Sequence, residues 1–252
     1  TEQSLATTET INGKRYYNIG EGKKYPSVTT ILGAMTDKSG IDKWRKRVGE
    51  KEANRISKLS AGRGTVMHKL IELYLETPSD MPYDERIAET MKGAKVDEEI
   101  LEVNEKKDRA ENPILIGYNL FMNFMNNNSE FCGKIDNVVA SEKFLWTLKG
   151  GGYAGTVDNI SRLKDGSLKI IDFKSSAKPK REDWIEDYKI QVAAYSIAAW
   201  DNLGEKPSGG EIWISNEIQP MPQKFVMEWE DIIEYYKKFR IRLNQFYEKY
   251  PK

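Results

Sequence analysis

Two charged residues near the end of an apolar segment could carry chemistry. Residues 170–174 read Ile-Ile-Asp-Phe-Lys, and residues two apart in a β-strand point to the same face of a sheet. Asp172 and Lys174 therefore share one face, whereas Ile171 and Phe173 face the core. Taken alone, the charged pair is typical of a surface ion pair, which contributes little to stability.

A third charged residue, Asp158, changes this interpretation. It precedes the Asp-Gly dipeptide at 165–166, which is a strong hairpin signal. Pairing 159–162 with 167–170 brings Asp158 near Asp172. Two adjacent carboxylates repel, and a bound Mg²⁺ or Mn²⁺ removes that penalty because hard cations prefer carboxylate oxygens. The sequence predicts a metal site here, with a protonated or salt-bridged cluster as the alternative.

The single histidine is a further candidate metal ligand. His68 is followed one helical turn later by Glu72. A lone histidine is commonly structural or exposed, but here it accompanies a predicted pair of carboxylates. An imidazole ligand would shift the metal preference toward Mn²⁺.

Polar and basic residues follow the Asp172 strand. Gln191 and Tyr195 lie four apart in a predicted helix, where they either reach the site or fill the helix surface. A basic loop precedes this helix and supplies three cations that suit phosphate groups: Lys178, Lys180 and Arg181.

The elements that must position these residues alternate between helix and strand. A short N-terminal hairpin is followed by helical segments from Ile41 to about Leu75, with a break near 60–64, and by helices with polar loops over 76–130. The later predicted elements are three meander strands (138–147, 153–162, 167–174), a helix (184–200), a strand (210–215) and a closing helix (229–250). This order predicts an α/β fold, with a mixed central sheet flanked by helices and a helical insertion.

Composition sets limits on the class of protein. The chain has 252 residues, 39% hydrophobic and 11% aromatic, which suits one domain over 1–252 and excludes intrinsic disorder. No apolar run reaches the roughly 20 residues of a membrane helix, and the polar start lacks a secretory signal. The single cysteine, Cys132, excludes an internal disulfide and a four-cysteine iron–sulfur cluster. We expect a cytoplasmic protein without a membrane partner.

The charge is zero in total but unevenly distributed. From Asp42 to Arg63 there are eight basic and three acidic residues, whereas from Asp80 to Glu111 there are eleven acidic and six basic residues. A basic face that includes Arg63 could bind a phosphate backbone. The alternative is a pair of solvated helices with mixed charge.

Several of these residues fall into motifs that resemble a known family. The motifs are Gly-Thr-Val-Met-His at 64–68 with Glu72, Gly-Thr-Val-Asp at 155–158, Asp-Phe-Lys at 172–174 and Gln-Val-Ala-Ala-Tyr at 191–195. In this order and spacing they resemble the RecB-type branch of the PD-(D/E)XK nuclease superfamily. The segment 25–32 (Tyr-Pro-Ser-Val-Thr-Thr-Ile-Leu) is similar to the start of phage exonucleases and of the mitochondrial genome maintenance exonuclease.

The resemblance implies a role for each matching residue. The metal ligands would be His68, Asp158, Asp172 and the carbonyl of Phe173, with Glu72 as an addition. Lys174 would orient the attacking water and stabilise charge on the phosphate, while Gln191 and Tyr195 would steady that lysine and contact the nucleic acid. Glu142 matches a glutamate often found on the preceding strand, which supports the metal ligands or a second metal.

The function implied is a Mg²⁺- or Mn²⁺-dependent DNA exonuclease that serves replication, recombination or repair. We expect it to prefer single strands with free ends, because the basic helix and the insertion at 76–130 could form a cap. Three aromatic residues could stack on bases, although core packing is the alternative: Trp44, Tyr118 and Phe121. A nuclease subunit that needs replication or recombination proteins and a silent DNA-binding module are alternative functions. The expected host is a bacterium or a phage-infected cell, with the mitochondrial matrix as the alternative.

Overall fold

The computed structural model describes residues 7–96 and 111–251. The strands in these ranges are β1 (Thr7–Ile11), β2 (Lys14–Asn18), β3 (Lys24–Pro26), β4 (Ile135–Thr147), β5 (Tyr153–Leu163), β6 (Leu168–Ser176), β7 (Gly209–Asn216) and β8 (Gln223–Glu228). The helices are α1 (Val28–Met35), α2 (Ser39–Val48), α3 (Glu50–Glu76), α4 (Tyr83–Ala94), α5 (Pro113–Asn126), α6 (Glu186–Leu203) and α7 (Trp229–Lys249). The predicted α/β class is confirmed.

The central sheet is mixed and has the strand order β4-β5-β6-β7-β8. Its β4-β5, β5-β6 and β7-β8 pairs are antiparallel, and β6 lies parallel to β7 because α6 connects them as a crossover. The hairpin register pairs Asn159 with Ile171 and Arg162 with Leu168. This is one residue away from the predicted alignment, and it places Asp158 and Asp172 just past the last paired positions.

Helices cover both faces of this sheet, so β6 is buried on both sides. One hydrophobic cluster joins Ile170 to helices α1, α6 and α7, and the other joins Ile171 and Phe173 to α3 and α5. The face that carries Asp172 and Lys174 was expected to be a polar surface. It is instead covered by α6, because a strand between two helical layers has no solvent face.

Helix α3 is continuous where a break was predicted. The chain turns at Gly49, with φ at 85°, and the helix then runs through 60–64 without interruption. The glycines inside it allow close packing. A Cβ on Gly62 would lie 3.0 Å from the Cβ of Pro113, and a Cβ on Gly64 would lie 3.1 Å from Oγ of Ser175.

Helix α5 of the 76–130 insertion belongs to the core, whereas α4 buries only Thr90. Helix α5 buries Leu120, Phe121 and Phe124 against Trp213 of β7. The idea that Phe121 stacks on bases is wrong, because its side chain is fully buried. Residues 97–110 of the predicted cap lie outside the described residues.

A second, three-stranded sheet, β1-β2-β3, packs beside β4 and β5. The ring of Tyr17 contacts the ring of Phe144, and its hydroxyl lies 3.2 Å from Oγ1 of Thr156. These contacts tie the N-terminal segment to the strands that carry Glu142 and Asp158. Of the helices described, none is long and apolar enough to cross a membrane.

Candidate active site

Asp158 occupies the gap where strands β5 and β6 separate. Their ladder ends at the Asn159–Ile171 pair, and the backbone N–H of Phe173 donates instead to Oδ2 of Asp158 at 2.9 Å. The N–H and C=O of one strand residue point to the same neighbouring strand. The carbonyl of Phe173 therefore opens onto the same gap, where it is available as an oxygen ligand.

His68 reaches this gap from α3. Its Nδ1 lies 3.7 Å from Oδ2 of Asp158, and its ring meets the edge of the Phe173 ring with the centroids 6.2 Å apart. The close approach of α3 to β6 at Gly64 makes this reach possible. The predicted meeting of the histidine with Asp158 is thus observed in the structure.

Glu142 joins His68 and Asp158 from strand β4. The flanking pairs Ser141–Asn159 and Lys143–Val157 place it opposite Asp158. Its φ of 45° is left-handed, which costs an L-residue about 1–2 kcal/mol. The ligand atoms of His68, Glu142 and Asp158 all lie within 4.8 Å of one another. Strained backbone thus places a second carboxylate beside Asp158.

The pKa of Glu142 shows the cost of this proximity. Partial loss of solvent, together with the charges of Asp158 and Glu72, raises its pKa from 4.5 to about 7, and Lys69 opposes the change. A hard divalent cation would relieve the same repulsion.

Asp172 and Lys174 form a buried pair behind this cluster. Nζ of Lys174 lies 2.5 Å from Oδ2 of Asp172, whose side chain is 1% exposed. Burial and the charge of Asp158 raise the pKa of Asp172, while Lys174 lowers it. Burial also opposes the charge of Lys174, but the two carboxylates outweigh it and raise the pKa of the lysine. Lys174 therefore remains an ammonium group.

Helix α6 supports this pair through aromatic residues. Nζ of Lys174 lies 5.1 Å from the ring centre of Tyr188, a contact that the sequence interpretation missed although Tyr188 precedes Gln191 by three residues. Nε2 of Gln191 lies 3.5 Å from Oη of Tyr195, and the Tyr195 ring packs against Gly155. Burial raises the pKa of Tyr195, which keeps its hydroxyl protonated. The structure therefore places Tyr188 at the lysine, with Gln191 and Tyr195 in contact with each other.

Glu72 lies at the rim of the cleft. It pairs with Lys69 at 2.8 Å and is not a member of the three-residue cluster. The cleft has a volume of about 520 Å³. Its lining includes Gly64, His68, Glu72, Glu142 and Asp158.

The predicted nucleic-acid contacts occupy two different environments. Lys178 and Arg181 are exposed and Lys180 is half-buried in the loop after β6. Arg63 differs, because it is buried and forms an ion pair with Glu217. Other basic residues of the predicted basic face, which runs from Asp42 to Arg63, are exposed on α2 and the first half of α3. They are Lys43, Lys46, Arg47, Lys51, Arg55 and Lys58.

The donor set suits a divalent metal ion. Both carboxylate oxygens of Asp172 are buried and have no hydrogen-bond partner of good geometry among the described residues. His68, Glu142 and Asp158 add one nitrogen and carboxylate oxygens at a spacing that one ion can bridge. Oxygen donors with a single imidazole are typical of Mg²⁺ or Mn²⁺ sites.

Comparisons with known proteins find one family, and the similar solved structures include two distant ones. The family model of the PD-(D/E)XK nuclease superfamily matches residues 41–245. A candidate exonuclease from Eubacterium rectale is 11% identical with a TM-score of 0.40, over 73% of this chain and 68% of its own. A protein named SSO0001 is 15% identical with a TM-score of 0.30, over 64% of this chain and 88% of its own. No curated protein matches the chain significantly.

Proposed function

The chain belongs to the PD-(D/E)XK nuclease superfamily, and we propose that this nuclease is a Mg²⁺- or Mn²⁺-dependent DNA exonuclease. The observation that carries the proposal is the convergence of His68, Glu142 and Asp158 within 4.8 Å. These residues lie beside the Asp172–Lys174 pair, which holds a permanent positive charge next to the gap between β5 and β6.

Each residue has a defined task in phosphodiester hydrolysis. His68, Asp158, Asp172 and the carbonyl of Phe173 would hold the metal, with Glu142 as the additional carboxylate. The metal supplies Lewis-acid activation of water and phosphate when it is bound. Lys174 donates hydrogen bonds to the phosphate and to the attacking water, because the two carboxylates keep its ammonium protonated. Tyr188 holds that ammonium over its ring.

The shape and charge of the surface support a single strand as substrate. A cleft of about 520 Å³ has the size of a small-ligand pocket. We infer that it accepts a nucleotide or two of one strand. Helix α2 buries no residue, and its exposed Lys43, Lys46 and Arg47 can contact a phosphate backbone outside the cleft. A preference for free ends would follow if this helix limits the approach of an uninterrupted strand.

The proposed role is in DNA replication, recombination or repair, in the cytoplasm of a bacterium or a phage-infected cell. The mitochondrial matrix is the alternative location. A nuclease subunit that is active only with replication or recombination proteins has the same chemistry and remains the second candidate. A silent DNA-binding module is disfavoured, because the predicted site residues His68, Asp158, Asp172 and Lys174 are all present.

The test is a cleavage assay on end-labelled DNA. Single- and double-stranded substrates, linear and circular, are incubated with Mg²⁺, Mn²⁺ or EDTA, with an Asp158→Asn protein as the control. Metal-dependent loss of linear single strands, with circles intact and the variant inactive, is the expected result. Rapid cutting of closed single-stranded circles would refute the exonuclease assignment. Binding without cleavage in any metal would favour the subunit or the silent module.

A further inference from the structure

An exposed tryptophan ends the short 3-10 helix (Glu182–Trp184) that precedes α6. The side chain of Trp184 is 61% exposed, although Ile185 beside it is fully buried. Tyr188, in the first turn of α6, follows four residues later, so the two Cα atoms are at most about 14 Å apart. The Tyr188 ring lies 5.1 Å from Nζ of Lys174. Trp184 therefore presents a large aromatic surface close to the proposed site of cleavage.

The Trp184 ring has a cationic neighbour from the same loop. The guanidinium carbon of Arg181 lies 5.5 Å from the ring centre, and Arg181 also pairs with Asp183 at 3.0 Å. An arginine beside an exposed indole extends the flat surface of the ring. Such a surface suits a nucleobase flanked by phosphates.

The loop that carries these residues is anchored at its other end. Gln223 of β8 accepts a hydrogen bond from the backbone N–H of Lys180 at 2.7 Å and donates one to its carbonyl at 2.8 Å. The hydroxyl of Ser176 donates to the carbonyl of Lys178 at 2.7 Å. A loop that is already ordered loses little entropy when it binds a ligand.

Local charge favours an anionic ligand. The four nearby carboxylates all have cationic partners: Glu182 with Lys189, Asp183 with Arg181, Glu186 with Lys238 and Asp187 with Arg242. The ammonium groups of Lys178 and Lys180 make no ion pair among the residues that the structure describes. These two lysines therefore carry the unbalanced charge of the loop.

We propose that Trp184, with Arg181 beside it, is a stacking platform for one nucleobase of the substrate strand next to the cleaved phosphate. Lys178 and Lys180 contact the phosphates on either side of that base. The proposal rests on the proposed function, because it takes a single DNA strand as the ligand. Stacking on an aromatic ring tolerates any base, so the platform adds affinity without sequence preference.

Binding in EDTA tests the platform without cleavage. Fluorescence anisotropy of labelled single-stranded oligonucleotides is measured for the wild-type protein and for Trp184→Ala and Trp184→Phe. We expect Kd to rise about tenfold for the alanine variant and much less for the phenylalanine variant. The control is Trp200→Ala, at the other end of α6, whose ring is 39% exposed and lies 5.5 Å from Nζ of Lys149.

Abasic sites locate the stacked base. Placed one at a time along the oligonucleotide, an abasic site should weaken binding to the wild-type protein at one main position. That loss should disappear in Trp184→Ala and persist in Trp200→Ala. An unchanged affinity and the same abasic profile in Trp184→Ala would overturn the platform.

The cleavage assay separates this proposal from the proposed function. If the wild-type protein cleaves DNA but the abasic profile is independent of Trp184, the platform is wrong and the nuclease assignment stands. If the wild-type protein binds with a Trp184-dependent profile but cleaves nothing in Mg²⁺ or Mn²⁺, the platform stands and the exonuclease assignment fails.

Discussion

The site has two halves that meet at Asp158 and differ in their access to solvent. The inner half consists of Asp172 and Lys174 under α6, with side chains 1% and 18% exposed. The outer half consists of His68 and Glu142 at the open cleft, where the His68 side chain is 29% exposed and Glu142 is also exposed.

This difference separates a buried group that stays charged, Lys174, from groups at the cleft whose protonation and metal binding can change. A buried ion pair loses most of its screening, so removing one partner leaves an uncompensated charge. Groups at an open cleft can instead exchange water, protons and metal ions at low cost. We therefore expect changes in the inner half to alter both catalysis and stability, whereas changes in the outer half alter metal affinity and pH dependence.

The largest expected effect is from Lys174→Met. We predict that single-turnover cleavage falls by about 10²–10³-fold, because a preorganised donor to the phosphate is lost. The free energy of unfolding should also fall, by up to about 3–5 kcal/mol, because Asp172 loses its cation. Lys69→Met at the rim is the control, and cleavage by Lys174→Met within tenfold of wild type would contradict the division into halves.

His68→Ala should have the next largest effect, and it should respond to metal. We predict that Mn²⁺ affinity falls by roughly 10–100-fold, because the cleft loses its one nitrogen ligand. A higher Mn²⁺ concentration should restore much of the cleavage activity of His68→Ala. It should not restore the activity of Lys174→Met. Calorimetric titration with Mn²⁺ measures the affinity, and cleavage assays over a range of Mn²⁺ concentrations measure the rescue. If Mn²⁺ rescued the two variants equally, the inner and outer halves of the site would not differ in the way we infer.

Gly155→Ala tests how closely α6 must pack on β5. The added Cβ would lie 2.7 Å from Cε1 of Tyr195, and overpacking of this kind costs about 1–3 kcal/mol. Gly33→Ala in α1 is the matched control, because no atom lies within 4 Å of its added Cβ. Denaturant midpoints should fall for the first variant and hold or rise for the second. Equal midpoints would show that Tyr195 can move freely.

The smallest effect is the pH dependence of the outer half without metal. The pKa of Glu142 is raised from its ordinary value of 4.5 to about 7 in the folded protein. The folded state thus holds this proton more tightly, so its contribution to stability is complete below pH 4.5 and is lost as pH rises to 7. In EDTA, the denaturant midpoint should decline across this window, and the decline should be weaker in Glu142→Gln. An identical pH profile in the variant would assign the decline to other groups.

Local patterns in the sequence predicted much of the sheet. The three meander strands, α6, β7 and α7 lie within a few residues of their predicted positions, because alternation and turn dipeptides are local signals. Strands β1 and β8 were missed. Both lie at sheet edges, where every residue of β1 is exposed and only one residue of β8 is buried. Their apolar alternation is therefore weak.

The roles of individual charges depended on contacts between distant segments. Arg63 was predicted to bind DNA from its place in a basic run, yet its side chain is buried and forms an ion pair with Glu217, 154 residues away. Tyr188 reaches Lys174 only because α6 packs over β6. Glu142 joins the cluster through its register with β5 and a left-handed φ.

The sequence by itself determined the order of most central elements, the family resemblance and the set of residues that can bind metal and phosphate. Those properties follow from residue types and short spacings, which can be read directly from the sequence. Only the tertiary structure decided that Asp172 and Lys174 are buried while His68 and Glu142 stay open to the cleft. Burial depends on which helix covers which strand, and this is a property of packing between segments that are far apart in the chain.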